Sequence, residues 1–208
     1  MKNVVILISG RGSNMQAIVN AQIPNARIAA VLSNNESAAG LAWAAERGIA
    51  TDSLNHKSFE SRLAFDQAMM AKIDAYQPDL VVLAGFMRIL TPEFCAHYEG
   101  CLMNIHPSIL PSFTGLHTHE RALRAGCRVA GCTIHFVTAE LDCGPIISQG
   151  VVPIFDNDTA DDVAARVLGI EHQLFPKAVA DFVAGRLNIQ GNRVLNTDTQ
   201  PQSSALLA

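Results

Sequence analysis

Asn3-Val4-Val5-Ile6-Leu7-Ile8-Ser9-Gly10-Arg11-Gly12-Ser13-Asn14 decides the fold. Residues 3–8 are an apolar run too short for a helix and bounded by turn residues, the pattern of a strand buried on both faces. Beyond the glycines, Met15, Ile18 and Val19 recur at helical spacing. Residues 13–21 therefore read as a helix, with Ser13 and Asn14 as its caps. A doubly buried strand followed at once by a helix is the unit of a parallel sheet covered on both sides.

The turn between them has chemical character. Its glycines allow close backbone approach, and the helix start supplies free N–H groups and positive dipole character, which favour a phosphate. A dinucleotide fingerprint would need glycine at position 15, where Met15 stands, and no Gly-Lys-Ser/Thr of a nucleotide-triphosphate loop is present. A single monophosphate fits this turn; an ordinary glycine connection fits it too.

The same rhythm continues outward. Residues 27–33 read as a strand, 38–47 as a helix ended by Gly48, and 49–54 as a weak strand. Residues 58–76 read as a long amphipathic helix leaving at Pro78, and 80–84 as an apolar strand ending at Gly85. After residue 100 the rhythm changes. Residues 101–105 read as a strand, 118–125 as a short helix, and 131–138 and 144–153 as two strands joined by a tight turn. That pair adds an antiparallel element. Residues 159–185 hold a long helix with a kink expected near Pro176. The expected fold is α/β: an open twisted, mostly parallel sheet with helices on both faces and an antiparallel element in the C-terminal half. One domain is expected over 1–190, with 191–208 as a loose tail.

Composition agrees with a globular, soluble chain: 208 residues, 49% hydrophobic and 16% charged. Net charge is −4 without a basic tract, which argues against a polynucleotide partner. No apolar run approaches a membrane span. Residues 1–8 carry no cleavage pattern after their apolar run and read as the first strand. Five cysteines without a Cys-x-x-Cys pair point to free thiols in a reducing cytoplasm, not to disulfides or zinc.

Three stretches carry candidate chemistry. In Met103-Asn104-Ile105-His106-Pro107, Asn104 and His106 share a face if the segment is extended. An amide and an imidazole there can polarise a carbonyl and move a proton; polar groups closing a strand end have the same spacing. In Leu83-Ala84-Gly85-Phe86-Met87-Arg88-Ile89-Leu90, a strand end meets an apolar segment placed to line a flat pocket. In Thr138-Ala139-Glu140-Leu141-Asp142-Cys143-Gly144-Pro145, two acids sit in a turn. A carboxylate there would favour the imidazolium of His106 if it came near; spacing alone describes a solvated turn equally well. His117 and His119 lack a third ligand at recognisable spacing and read as loop or cap residues. His135 reads as core or cleft wall, and His56 and His97 as surface.

These stretches resemble the folate-dependent formyltransferases. The resemblance spans roughly residues 3–190. It rests on Val4–Asn14, on residues 81–90, on Asn104-Ile105-His106-Pro107-Ser108-Ile109-Leu110-Pro111, on Gly115-Leu116-His117-Thr118-His119 and on residues 137–145, in that order. The Gly-x-Gly-Ser-Asn turn is similar to the branch acting on glycinamide ribonucleotide. Neither the C-terminal barrel of a tRNA-directed member nor the regulatory domain of a deformylase is expected here. Asp142-Cys143-Gly144 departs from the family, where a second glycine is common, and Ser112-Phe113-Thr114 varies within a loop.

The resemblance implies formyl transfer from 10-formyltetrahydrofolate to the amine of 5'-phosphoribosylglycinamide, in purine biosynthesis and without a metal. It implies catalytic roles for Asn104, His106 and Asp142. It implies reduced folate at Arg62, Met87, Arg88, Ile89, Leu90, Asn104, Thr138, Ala139, Glu140, Leu141 and Asp142. It implies the ribonucleotide at Gly12, Ser13, Asn14, Ile170 and Glu171. A cytoplasmic monomer or homodimer with small-molecule partners, and neither nucleic acid nor membrane, is expected. Two rivals share much of this pattern: a formyltetrahydrofolate deformylase, and a non-catalytic folate or nucleotide module.

Overall fold

A computed structural model describes residues 1–198. The strands are β1 Lys2–Ile8, β2 Ala26–Ser33, β3 Ala50–Ser53, β4 Leu80–Leu83 and β5 Leu102–His106, followed by β6 Val129–Phe136, β7 Ile146–Pro153, β8 Leu187–Gln190 and β9 Arg193–Asn196. The helices are α1 Ser13–Asn20, α2 Ala39–Ala45, α3 Arg62–Asp74, α4 Pro92–His97, α5 Thr118–Arg124 and α6 Ala160–Val183. All nine strands form one sheet in the order β3-β2-β1-β4-β5-β6-β7-β9-β8. The expected fold class holds.

Strand β1 shows why the apolar run decides the fold. Val4, Val5, Ile6, Leu7 and Ile8 are all fully buried. Val4, Ile6 and Ile8 pack with Met15, Ile18, Val163, Val167 and Phe175, on the face covered by α1 and α6. Val5 and Leu7 pack with Phe65, Met69, Ile73 and Phe94, on the face covered by α3 and α4. Each such side chain contributes about 1.5–3 kcal/mol by leaving water. A charge at Ile6 would have no partner on either side.

The sheet is parallel from β3 through β5, and β5 pairs antiparallel with β6. From β1 the chain runs outward to β2 and β3, then crosses back to place β4 on the other side of β1. Ligands of open sheets bind at such a reversal, beyond the carboxyl ends of the strands. The loops after β1 and β4 flank it.

Several local expectations are corrected. Gly12, not Ser13 or Asn14, caps α1, with a left-handed φ of 68° and no side-chain cap. Ser13 and Asn14 open the first turn instead. The helix expected from residue 58 begins at Arg62, because the Ser61 hydroxyl accepts the Ala64 N–H. A separate 3-10 turn, His56–Ser58, precedes it, with Asn55 accepting from Lys57. Helix α4 was not expected. It is capped by Thr91, with Pro92 in its first turn. The link between β6 and β7 is a longer loop over residues 137–145, not a tight turn. Helix α6 holds Pro176 within its span, as expected, and starts with a capping box of Thr159 and Asp162.

Residues 193–196, expected in the tail, form β9 and pair antiparallel with β8. Buried Asp181 of α6 ties this hairpin down, bonded to Arg186 at 2.5 Å and to Asn196 at 2.9 Å. The remainder of the expected tail, residues 199–208, lies outside the described residues. Among the described residues all five cysteines are free, and no helix is long and apolar enough to cross a membrane.

Candidate active site

Asn104 and His106 lie on β5, the strand shared by the parallel and antiparallel halves. The register sets Asn104 opposite His135 and His106 opposite Thr133. His106 is 6% exposed. Its Nε2–H donates to the Phe113 carbonyl at 3.0 Å. That bond assigns a proton to Nε2 and turns Nδ1 towards Asp142, whose Oδ2 lies 3.6 Å away. Nδ1 is therefore the ring nitrogen not spent on the backbone, and it faces the Asp142 carboxylate.

Asp142 reaches His106 from the loop between β6 and β7. Its backbone is left-handed, with φ 56°, a conformation aspartate adopts more readily than most residues. Its Oδ2 also accepts the Gly115 N–H at 2.9 Å. Two residues on, a Cβ at Gly144 would sit 1.8 Å from the Phe136 carbonyl oxygen. Glycine is thus obligatory at the base of the loop. Cys143, where the family pattern has glycine, is exposed. Thr138, Ala139, Glu140 and Leu141 are exposed around the same loop.

His135, read from the sequence as core or cleft wall, is buried against this cluster. It is 1% exposed. Its Nδ1–H donates to the Phe136 carbonyl at 2.9 Å, so Nε2 accepts from Asn104 Nδ2 at 3.1 Å. One amide hydrogen of Asn104 is thereby fixed, which orients the other and the amide oxygen. Burial pushes the His135 pKa down and keeps the ring neutral. Nearby His106 pushes the same way, against the Phe136 bond and Asp142. Only strand register brings His135 opposite Asn104, and one sequence does not reveal register.

At the first loop, Gly12 turns the chain in the left-handed region and Ser13 is half-buried. Asn14 is buried and donates from Nδ2 to Glu171 Oε2 at 2.7 Å. Its Oδ1 is buried without a partner. Burial raises the Glu171 pKa, and the Asn14 bond opposes the shift. An orphaned amide oxygen beside a buried carboxylate is a natural anchor for hydroxyl donors. Ile170 is core: a Cβ at Gly150 would come within 2.8 Å of its side chain.

After β4, Met87 is 70% exposed and Ile89 57% exposed, an apolar rim beside the first loop. Leu90 is half-buried. Arg88 turns inward, its guanidinium 5.5 Å from the Phe65 ring centre and its Nε buried without a partner. Arg62 is exposed at the first residue of α3 and makes no hydrogen bond or ion pair among the described residues.

The structure thus joins Asn104, His106 and Asp142 with His135, and joins Asn14 with Glu171. It does not tie Arg62 to either group. A cavity of about 170 Å³ lies against the segment that follows β5, lined by Pro107, Phe113, His119 and Cys127 among others. Asn104, Asp142 and Glu171 do not line it, although Phe113 and Pro107 border His106. His119 has a pKa lowered by burial and by His106. His56, expected at the surface, is half-buried and donates from Nδ1 to the Asn34 carbonyl at 3.1 Å. His97 is exposed as expected.

Comparison with known proteins identifies the family. The formyl transferase family model matches residues 2–179. The chain is 50% identical over 193 residues to a phosphoribosylglycinamide formyltransferase of Escherichia coli K12, covering 91% of each. It is 42% identical to that of Haemophilus influenzae, covering 92% of each. The crystal structure of glycinamide ribonucleotide transformylase 1 from Symbiobacterium toebii superposes with a TM-score of 0.91 at 42% identity, covering 94% of each chain. The chain belongs to the formyl transferase family, among the phosphoribosylglycinamide formyltransferases.

Proposed function

We propose that this enzyme transfers the formyl group of 10-formyltetrahydrofolate to the amine of 5'-phosphoribosylglycinamide. The observation that carries the chemistry is the His106 geometry: Nε2 spent on a carbonyl, Nδ1 facing Asp142 at 3.6 Å. The exposed apolar rim of Met87 and Ile89 supports a flat heterocycle beside the first loop. Glycines at 10 and 12 and the α1 N-terminus support a phosphate, with Glu171 and Asn14 set to meet ribose hydroxyls.

The reaction needs no protein nucleophile. An α-amino group has a pKa of about 7.7–8.0, so a minor but useful fraction of it is neutral near pH 7 without a strong base. The amine attacks the formyl carbon and a C–N bond forms. The carbonyl oxygen becomes an oxyanion, met by Nδ1–H of His106 and the amide of Asn104. The amine proton passes through Asp142 to the folate nitrogen as its bond to the formyl carbon breaks. Products are the N-formyl ribonucleotide and tetrahydrofolate.

A spectrophotometric assay with both substrates, then with each omitted, tests this. Turnover is expected only when both are present. Formate release without ribonucleotide would replace transfer by hydrolysis, and no turnover with folate still bound would leave a binding module.

A further inference from the structure

Outside the catalytic cluster, one side chain joins the two loops that flank the sheet reversal. Ser9 follows β1 and directly precedes the glycine turn. Its Oγ–H donates to Asn34 Oδ1 at 2.6 Å, and the same oxygen accepts the Met87 N–H at 2.8 Å. Its backbone N–H donates to the Gly85 carbonyl at 3.2 Å. Asn34 is 6% exposed, so its amide is a fixed acceptor. With its proton committed to Asn34, the hydroxyl turns a lone pair to Met87, and each bond polarises the other.

We propose that Ser9, held by Asn34, is a positioning residue that couples the ribonucleotide and folate subsites, so that each ligand strengthens the other. This rests on the substrates assigned above. A phosphate at residues 12–14 fixes the turn that Ser9 begins. Ser9 in turn holds the backbone of Met87, whose side chain is otherwise 70% exposed. Ordering of one loop by its ligand lowers the entropy cost of ordering the other. The effect is reciprocal by thermodynamic linkage. Ser9 touches neither reacting atom.

Calorimetric titration with tetrahydrofolate, with and without saturating 5'-phosphoribosylglycinamide, reads the coupling directly, because this pair cannot react. In the unaltered enzyme the ribonucleotide should tighten tetrahydrofolate by about 5-fold or more. In Ser9→Ala both ligands should still bind alone, with the tightening gone, and Ser9→Thr should restore most of it. A merely structural serine would lower Tm without changing the ratio. Should Ser9→Ala not fold, Asn34→Ala frees the hydroxyl to rotate and should likewise reduce the ratio. Undiminished tightening in the folded variants, or none in the unaltered enzyme when both ligands bind, would overturn the coupling alone. Failure of either ligand to bind the unaltered enzyme would overturn the substrate assignment and the coupling with it.

Discussion

The two sides of β5 divide the labour of the site. On the parallel side, β1 and β4 end in loops that offer backbone groups and exposed apolar side chains to the proposed ligands. On the antiparallel side, β6 and the loop after it bring His135 and Asp142 to Asn104 and His106. Parallel strands release their loops at one edge of the sheet, which gathers binding groups there. An antiparallel return sets side chains directly opposite one another. Asn104 and His135 meet through the second arrangement, and the loops proposed to accept a ligand come from the first.

The sharpest break of that division falls on β5 itself. Asn104→Ala and His106→Ala should each lower kcat by about 10²–10³-fold, the usual loss for one oxyanion donor. The double variant should lose less than the product, because the two groups act on one charge. Steady-state kinetics with both substrates varied would check this. Near-native kcat in either single variant would remove that residue from the chemistry.

His135 tests whether the antiparallel pairing matters beyond packing. His135→Phe leaves the Asn104 amide without its acceptor and should lower kcat about tenfold, equivalent to about 1.4 kcal/mol. His135→Gln can still accept through its amide oxygen and should recover most of the rate. The group also has a pH signature. Burial lowers its folded-state pKa. Its contribution to stability is therefore full above about pH 6.5, the unfolded value, and is lost as pH falls below it. His135→Gln should flatten that acid limb in thermal melts; an unchanged limb would assign it to other groups.

The two sides also differed in how much their sequence disclosed. Val4–Ile8 and Leu80–Leu83 announce buried parallel strands because continuous apolar runs are a local signal. Asp142 lies far from His106 along the chain, and its approach depends on a loop with left-handed backbone, so only family resemblance pointed to it. Helix α4 was missed because it is short, although Thr91 before Pro92 is a start signal. The β8–β9 hairpin left its own trace. Leu187-Asn188-Ile189-Gln190 and Arg193-Val194-Leu195 flank Gly191-Asn192, a two-residue turn with glycine at φ 59°. Polar composition masked it.

A binding-side substitution should leave kcat largely alone. In Gly12→Val the new Cβ meets the Met15 terminus at 3.0 Å and Ile8 at 3.4 Å, on a backbone with φ of 68°. Left-handed strain of this kind costs about 1–3 kcal/mol. That strain lowers stability, while the side chain itself should obstruct backbone approach to the phosphate and raise the ribonucleotide KM by about tenfold or more, with the folate KM changed less. Equal rises in both would remove the first loop as the phosphate site, provided circular dichroism shows a folded protein.

Glu171 crosses the division and gives the smallest expected effect. It sits on α6, which packs against β6 and β7, yet its carboxylate meets Asn14 from the first loop. Burial raises its folded-state pKa. Its contribution to stability is therefore present below the unfolded value of about 4.3 and is lost as pH rises through the folded value. At neutral pH the folded enzyme holds a carboxyl group that water would solvate better. Glu171→Gln keeps an oxygen for the Asn14 N–H and removes that penalty. Tm at pH 7 should rise, while at pH 4 the two proteins should converge. The ribonucleotide KM should rise at the same time, because an amide accepts fewer hydroxyl protons than a carboxylate. A higher Tm with unchanged KM would make Glu171 a buried acid without a ligand. A lower Tm would mean that the Asn14 contact outweighs the cost of burial.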